Sequence, residues 1–296
     1  MRLLMRHMAV MLVAVVAVAA FPATGEARER TQQKVKAAVA GHDATPELKS
    51  SAALVIDQTE GRTIFAKNTD NVVPIASITK LMTAMVVLDA GLPLDERIVI
   101  SEADKDLIKG TRSRLRIGTA LSRRDLLQLA LMASENRAAE ALSRVYPGGT
   151  AGFVAAMNQK AVELGMWRTR FVDGTGLSSD NVSTARDLTR MVAAAYRYPL
   201  IRDFTTDTGA AVRVANGQVM NYRNSNRLVS NPDWKIGLSK TGYISEAGRC
   251  LVMQAQIAGK PVIIVLLDSW GKLTRIGDAN RIKRWMETRS TPNTAG

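Results

Sequence analysis

Short apolar blocks lie at the two ends of the 296-residue chain, and apolar residues recur at three- and four-residue spacing between them. SAALVID (51–57) and RTIFAKN (62–68) predict two strands joined across QTEG. From Pro74 to about Tyr198 the period is helical. PIASITKLMTAMVVLDAG, LSRRDLLQLALMAS, RAAEALSRVY, TAGFVAAMNQKAVELG and STARDLTRMVAAAYR each predict a helix, with glycines and prolines between them. After about residue 210 strands return as KIGLSKTGYI, GRCLVMQAQIA and PVIIVLLDSW, and IGDANRIKRWMET predicts a closing helix. Strands at both ends and helices between point to an α+β fold. One antiparallel five-stranded sheet would be made from both chain ends and packed with a helical cluster. The helix from Pro74 is apolar almost all round and belongs at the buried centre. The folded domain is expected over residues 49–287, without internal repeat or second domain.

The termini read differently. MRLLMRH, the apolar run MAVMLVAVVAVAAF and FPATGEA follow the order of a secretory signal peptide, with cleavage expected near Ala27. An uncleaved anchor is the alternative, but the run falls short of the roughly 20 residues that span a bilayer. Residues 28–48 are expected to be a polar leader and 288–296 a disordered tail. No later segment is long enough for a transmembrane anchor, so the mature protein is expected in the periplasm.

Composition narrows the chemistry. The net charge is +13, and without Arg2, Arg6 and Glu26 of the signal 38 basic residues face 26 acidic ones, a charge of +12. In an exported protein that charge points to anionic wall polymers or lipid surfaces rather than nucleic acid, or simply to a solvated basic face. Cys250 is the sole cysteine, so no internal disulfide forms, and its strand-like surroundings predict a buried structural thiol. The two histidines are His7, in the signal, and His42, in a polar stretch. A Ser-His-Asp triad, a Cys-His pair and a histidine-ligated zinc site are therefore excluded, and neither metal nor cofactor is expected.

Hydrolytic chemistry must then use another base. Ser77 and Lys80 stand three apart at the head of the greasiest helix, where neither suits a purely structural role. At that spacing the side chains share a face. Burial disfavours the ammonium form of lysine, and a neutral amine beside a hydroxyl is a general base beside a nucleophile. Ser-x-x-K occurs a second time as Ser269-Trp-Gly-Lys272, expected in a loop and without function. Lys240-Thr241-Gly242 occurs once, on a predicted strand; its lysine and threonine can hold a carboxylate, and glycine lets substrate approach the backbone. Ser-x-Asn occurs as Ser134-Glu-Asn136, between two helices, and as Ser179-Asp-Asn181, in a loop. Packed elements hold side chains more rigidly than loops, which selects Ser134 and Asn136.

The set resembles that of penicillin-binding proteins and serine β-lactamases. Over residues 50–287, PIASITKLMTAMVVLDAGLPLDE, LALMASENRAAEAL, GLSSDNVSTARDL, SKTG and GRCLVM resemble low-molecular-weight penicillin-binding proteins of the serine D-Ala-D-Ala carboxypeptidase family. Within it, the chain is similar to the periplasmic D-alanyl-D-alanine endopeptidase branch. The resemblance implies a serine β-lactamase/DD-peptidase-like fold. It implies Ser77 as acyl-ester nucleophile, Lys80 as base, and Ser134 with Asn136 as proton-relay and substrate-orienting pair. Lys240, Thr241 and Gly242 would form the carboxylate-binding strand, with Lys272 or Arg275 assisting, and the backbone N–H groups of Ser77 and Tyr243 the oxyanion hole. The implied partners are peptidoglycan stem peptides and cross-links, with β-lactams as acylating inhibitors. The β-rich C-terminal domain and amphipathic anchor of many relatives are not expected here.

Three other functions stay open at this point: a D-Ala-D-Ala carboxypeptidase, a β-lactamase, and an inactive wall-binding protein. The loop FVDGTGLSSDN offers Asp173 and Asp180 but no glutamate of the kind class A β-lactamases use to release the drug. Slow release of penicillin is expected.

Overall fold

A computed structural model of the chain describes residues 45–290. Strands β1 (Ser50–Asp57) and β2 (Thr63–Lys67) join β3 (Lys235–Ile244), β4 (Gly248–Ile257) and β5 (Lys260–Ser269) in one antiparallel sheet, ordered β2-β1-β5-β4-β3. The two chain ends meet where β1 lies against β5, with Ser50 opposite Ser269 and Asp57 opposite Val262. β1 and β5 carry continuous apolar runs, and β4 does so over residues 250–253, because both faces of the sheet are covered. Ala52 and Leu54 face the large core, while Ala53 and Val55 face the smaller core beside the last helix.

Seven α-helices occur among the described residues: α1 (Lys80–Asp89), α2 (Arg123–Met132), α3 (Asn136–Arg144), α4 (Gly149–Glu163), α5 (Ala185–Ala195), α6 (Pro199–Thr206) and α7 (Thr274–Ser290). α1 is central, buried from Lys80 through Val87. Ser122 opens α2 with a capping box: its Oγ accepts from Asp125 N at 3.1 Å, and the Asp125 carboxylate accepts from Ser122 N at 3.3 Å.

Several expectations need correction. Residues 74–91 are not one helix. Val73–Pro74 pairs with Val182–Ser183, a 3₁₀ turn covers Ala76–Thr79, and only then does α1 begin. The positive φ of Ala76, 48°, lies outside the helical region and prevents an earlier start. The 92–122 connection holds a small ladder, Arg97–Val99 against Ala120–Ser122, and Gly209–Arg213 pairs with Val219–Arg223; both lie outside the main sheet. The eight-residue α6 is too short to show a period. The folded part also reaches past its expected limits, since Leu48 is buried in the smaller core. α7 extends to Ser290, where Thr288 and Ser290 hydroxyls bond carbonyls one turn back. The signal, His7, His42, most of the leader and the tail beyond Ser290 lie outside the described residues.

The closure of the sheet rests on a buried carboxylate. Asp278, on α7, accepts from Ser50 N at 2.7 Å, Ser50 Oγ at 2.6 Å, Lys49 N at 3.1 Å and Arg281 Nη1 at 2.7 Å. It fastens the first strand to the last helix. An Asp278→Ala substitution leaves those buried donors unpaired and is expected to cost about 2–4 kcal/mol in urea denaturation; a loss below about 0.5 kcal/mol would contradict this role.

Candidate active site

Ser77 sits in the 3₁₀ turn and Lys80 is the first residue of α1. In a 3₁₀ turn, side chains three apart eclipse each other, which brings the pair closer than an α-helix would. Lys80 has no exposed surface. Its Nζ donates to Ser77 Oγ at 2.8 Å, to Asn136 Oδ1 at 2.8 Å and to the Thr175 carbonyl at 2.7 Å. These three acceptors account for all three ammonium hydrogens. When the amine loses one proton, Asn136 and Thr175 can keep the remaining two hydrogens and the lone pair faces Ser77. Burial drives the Lys80 amine down to about 8, against the pull of Asp173, Glu135, Asp106 and Glu140 in the other direction.

The Ser134–Asn136 pair is divided between two lysines. Asn136 opens α3 and faces Lys80, whereas Ser134, at the break after α2, accepts from Lys240 Nζ at 2.8 Å. Ser134 has φ +60°, a left-handed conformation that lets the chain turn sharply enough to present both side chains. The amide of Asn136 is oriented by its other end: Nδ2 donates to Thr111 Oγ1 at 3.0 Å, and the Thr111 hydroxyl donates to Asp106 at 2.6 Å. Lys240, also buried, is held well below the usual lysine range by burial and by the nearby Lys80 and Arg275 charges.

Thr241 Oγ1 donates to Ser225 Oγ at 2.8 Å. Gly242 lines the cleft and also has a close neighbour within the protein. A Cβ there would lie 2.9 Å from the Ile75 carbonyl oxygen and 3.3 Å from the Ser77 nitrogen, so glycine lets β3 press against the nucleophile's own backbone. Gly176 does the same from the other side, with φ +78° and a Cβ position 2.0 Å from the Ala76 carbonyl. Tyr243 lines the cleft with its ring half exposed. Arg275 lines it as well and donates through Nη1 to the carbonyls of Gly242, at 2.8 Å, and Cys250, at 3.3 Å. Lys272 lies in a separate groove. The cleft encloses about 420 Å³, and Lys109, which lines it, forms an ion pair with Glu246, the neighbour of the lining residue Ser245.

The second copies of the motifs stay apart from the site. Ser269 is buried at the end of β5 against Ser50, while Lys272 is exposed, so the two form no pair. Asn181 is fully buried, and its Oδ1 accepts from Val172 N at 2.6 Å and Asp173 N at 3.2 Å. It fastens a loop rather than supplying mere polarity. Asp173 organises the same loop, accepting from the backbone N–H groups of Thr175, Gly176 and Ser178. That arrangement aims the Thr175 carbonyl at Lys80. Cys250 is buried, and burial pushes its thiol up to about 11. Sequence reasoning missed Thr111, Asp106 and Thr175 as positioning groups. It also missed Glu140, whose carboxyl is raised to about 6 by burial and by the charges of Asp173 and Asp104. A carbonyl or a loop turn carries no residue-type signal that could have found them.

A serine oxygen beside a buried amine, with a hydroxyl–lysine pair opposite and a sheet edge alongside, defines a nucleophilic-serine acyl-transfer enzyme. The D-alanyl-D-alanine carboxypeptidase family model matches residues 38–271, so the chain belongs to that family of serine peptidases. It is 52% identical over 250 residues to a D-alanyl-D-alanine endopeptidase of Pseudomonas aeruginosa, covering 84% of this chain and 81% of the relative. A D-alanyl-D-alanine endopeptidase of Escherichia coli is 47% identical over 258 residues, covering 87% and 83%. Among solved structures, a Streptomyces DD-transpeptidase superposes with a TM-score of 0.76 at 28% identity, covering 82% of this chain and 98% of that one. A Mycobacterium tuberculosis D-alanyl-D-alanine carboxypeptidase gives 0.74 at 27%, covering 82% and 92%. The fold is that of the DD-peptidases.

The state of Lys80 sets a pH dependence. A lysine takes up a proton only when neutral, so with Lys80 in the role of base acylation of Ser77 by a penicillin is expected to rise about tenfold per pH unit below 8 and to level off above it. Lys80→Arg, which stays charged, removes acylation. A rate that is flat from pH 6 to 9 in stopped-flow measurements would contradict the assignment.

Proposed function

We propose that the protein is a periplasmic D-alanyl-D-alanine endopeptidase that hydrolyses the D-Ala–diaminopimelate cross-links of peptidoglycan through an acyl-enzyme on Ser77. The observation that carries this reading is the Ser77–Lys80 contact at 2.8 Å with Lys80 fully buried. In the first step Ser77 Oγ bonds to the carbonyl carbon of D-Ala and its proton passes to the Lys80 amine. The amide C–N bond then breaks, and the leaving amine takes up a proton from the site. In the second step a water molecule loses a proton to the neutral lysine and attacks the ester carbon, releasing Ser77. The backbone N–H groups of Ser77 and Tyr243 stabilise the oxyanion of both steps, a contribution worth several kcal/mol in such sites.

Diaminopimelate on the leaving side keeps a free carboxylate next to the scissile amide. Thr241, with Lys240 and Arg275 behind it, reads that carboxylate as it would a terminal D-Ala. The names of the Pseudomonas and Escherichia relatives support cross-link cleavage, while the family's description supports trimming of D-Ala-D-Ala ends. Both reactions use the same groups. An exported enzyme is supported by the signal-like first 27 residues, and no helix among the described residues is long and apolar enough to cross a membrane.

Release of a penicillin is slow in this reading. The Asp173 carboxylate is occupied by loop N–H groups and Asp180 is exposed, so neither is placed to activate water. Incubation with cross-linked muropeptide dimers and with D-Ala-D-Ala-terminated monomers, followed by chromatography, tests the proposal. Dimer cleavage is expected to fall at least about a thousandfold in Ser77→Ala, and labelled penicillin is expected to remain on Ser77 for many minutes. Intact dimers with trimmed monomers would favour the carboxypeptidase, and rapid penicillin turnover a β-lactamase.

A further inference from the structure

A second groove, enclosing about 280 Å³, adjoins the catalytic cleft and shares Tyr243 and Ser245 with it. Its other walls are Arg249 at the start of β4, Asp268 at the end of β5, and the loop residues Trp270 and Lys272. Trp270 is 82% exposed and Tyr243 55%, which leaves two aromatic side chains largely open to solvent side by side along the groove. The Arg249 guanidinium lies 4.3 Å from the Tyr243 ring centroid, and among the described residues neither Arg249 nor Lys272 has an ion-pair partner. Asp268 is the one acidic residue lining the groove, and its Oδ1 fills the space a Cβ on Gly248 would take. Two unpaired cations against one carboxylate leave the groove positive.

The direction of β3 says what reaches it. Thr241, Tyr243 and Ser245 follow one another along the cleft edge. A substrate with its leaving-side carboxylate at Thr241 and its carbonyl at Ser77 and Tyr243 must carry its acyl-donor half past Ser245, where the groove opens. We propose that this groove binds the donor stem peptide, with Lys272 and Arg249 pairing its carboxylates and Trp270 covering its aliphatic backbone. The inference rests on the function proposed above and names the part of the substrate that the second groove reads. Long-range attraction between cations and an acidic peptide also makes the contact sensitive to salt.

The test uses Trp270→Ala and Lys272→Glu, at two residues that line the second groove and not the catalytic cleft. Acylation of Ser77 by benzylpenicillin, which is too small to need the groove, is expected to stay within about twofold of the parent rate, showing an intact site. For a cross-linked dimer with free stem carboxylates, kcat/KM is expected to fall about tenfold or more, mostly through KM. With a dimer whose stem carboxylates are amidated, the parent enzyme is expected to weaken and Lys272→Glu to lose no more. Equal rates for parent and both variants on the free-carboxylate dimer would overturn the proposal. If the parent leaves dimers intact but trims monomers, the endopeptidase reading fails and the same comparison is made on monomers, whose donor stem is the same. If it cleaves neither, calorimetric binding of a stem tripeptide ending in diaminopimelate decides. Binding weakened by Lys272→Glu supports the groove, and binding unchanged or absent overturns it.

Discussion

The site depends on the complete burial of one amine. Lys80 opens the central helix with no surface exposed to water, and the cost of its charge there lowers its pKa to about 8, the range that the proposed role of base requires. The surrounding structure supplies its acceptors: an amide from the start of α3, a carbonyl from the 173–181 loop and the Ser77 hydroxyl. Four carboxylates nearby, those of Asp173, Glu135, Asp106 and Glu140, moderate the effect. Without them burial would press the amine lower still, and a base with too low a pKa takes a proton weakly.

The two glycines against the nucleophile show how the fold holds Ser77. Gly242 on β3 and Gly176 in the loop both approach the backbone of residues 75–77 more closely than any side chain would allow. Ala76 and Ser134 adopt positive φ next to catalytic groups, 48° and 60°. Local strain of this kind persists where surrounding packing dictates the conformation, and here the sheet and α1 do so. The sheet in turn is closed by Asp278, which ties the N-terminal strand to the last helix.

Much of this was legible from side-chain pattern. The apolar runs gave all five strands of the main sheet, and the three-residue spacing of Ser77 and Lys80 placed together two side chains that the structure holds 2.8 Å apart. The choice of Ser134–Asn136 over Ser179–Asn181 rested on a preference for packed elements, and the structure brings only the former to the lysines. What escaped was carried by backbone or by contacts remote in sequence. The Thr175 carbonyl, the Asp106–Thr111–Asn136 chain and the Lys109–Glu246 ion pair join segments that no local period relates. The 3₁₀ turn before α1 escaped because apolar spacing cannot distinguish a tight turn from the first turn of a helix. Small ladders such as Arg97–Val99 with Ala120–Ser122 are too short to impose alternation.

One measurement tests the central claim directly: titration of the Lys80 amine by NMR, with lysine labelled at Cε and the signal assigned through Lys80→Arg. A midpoint near 8 is expected, set by burial between Ser77, Asn136 and Thr175. A midpoint at the ordinary lysine value of 10.5 would mean that Lys80 remains an ammonium at neutral pH, and Ser77 would need another base.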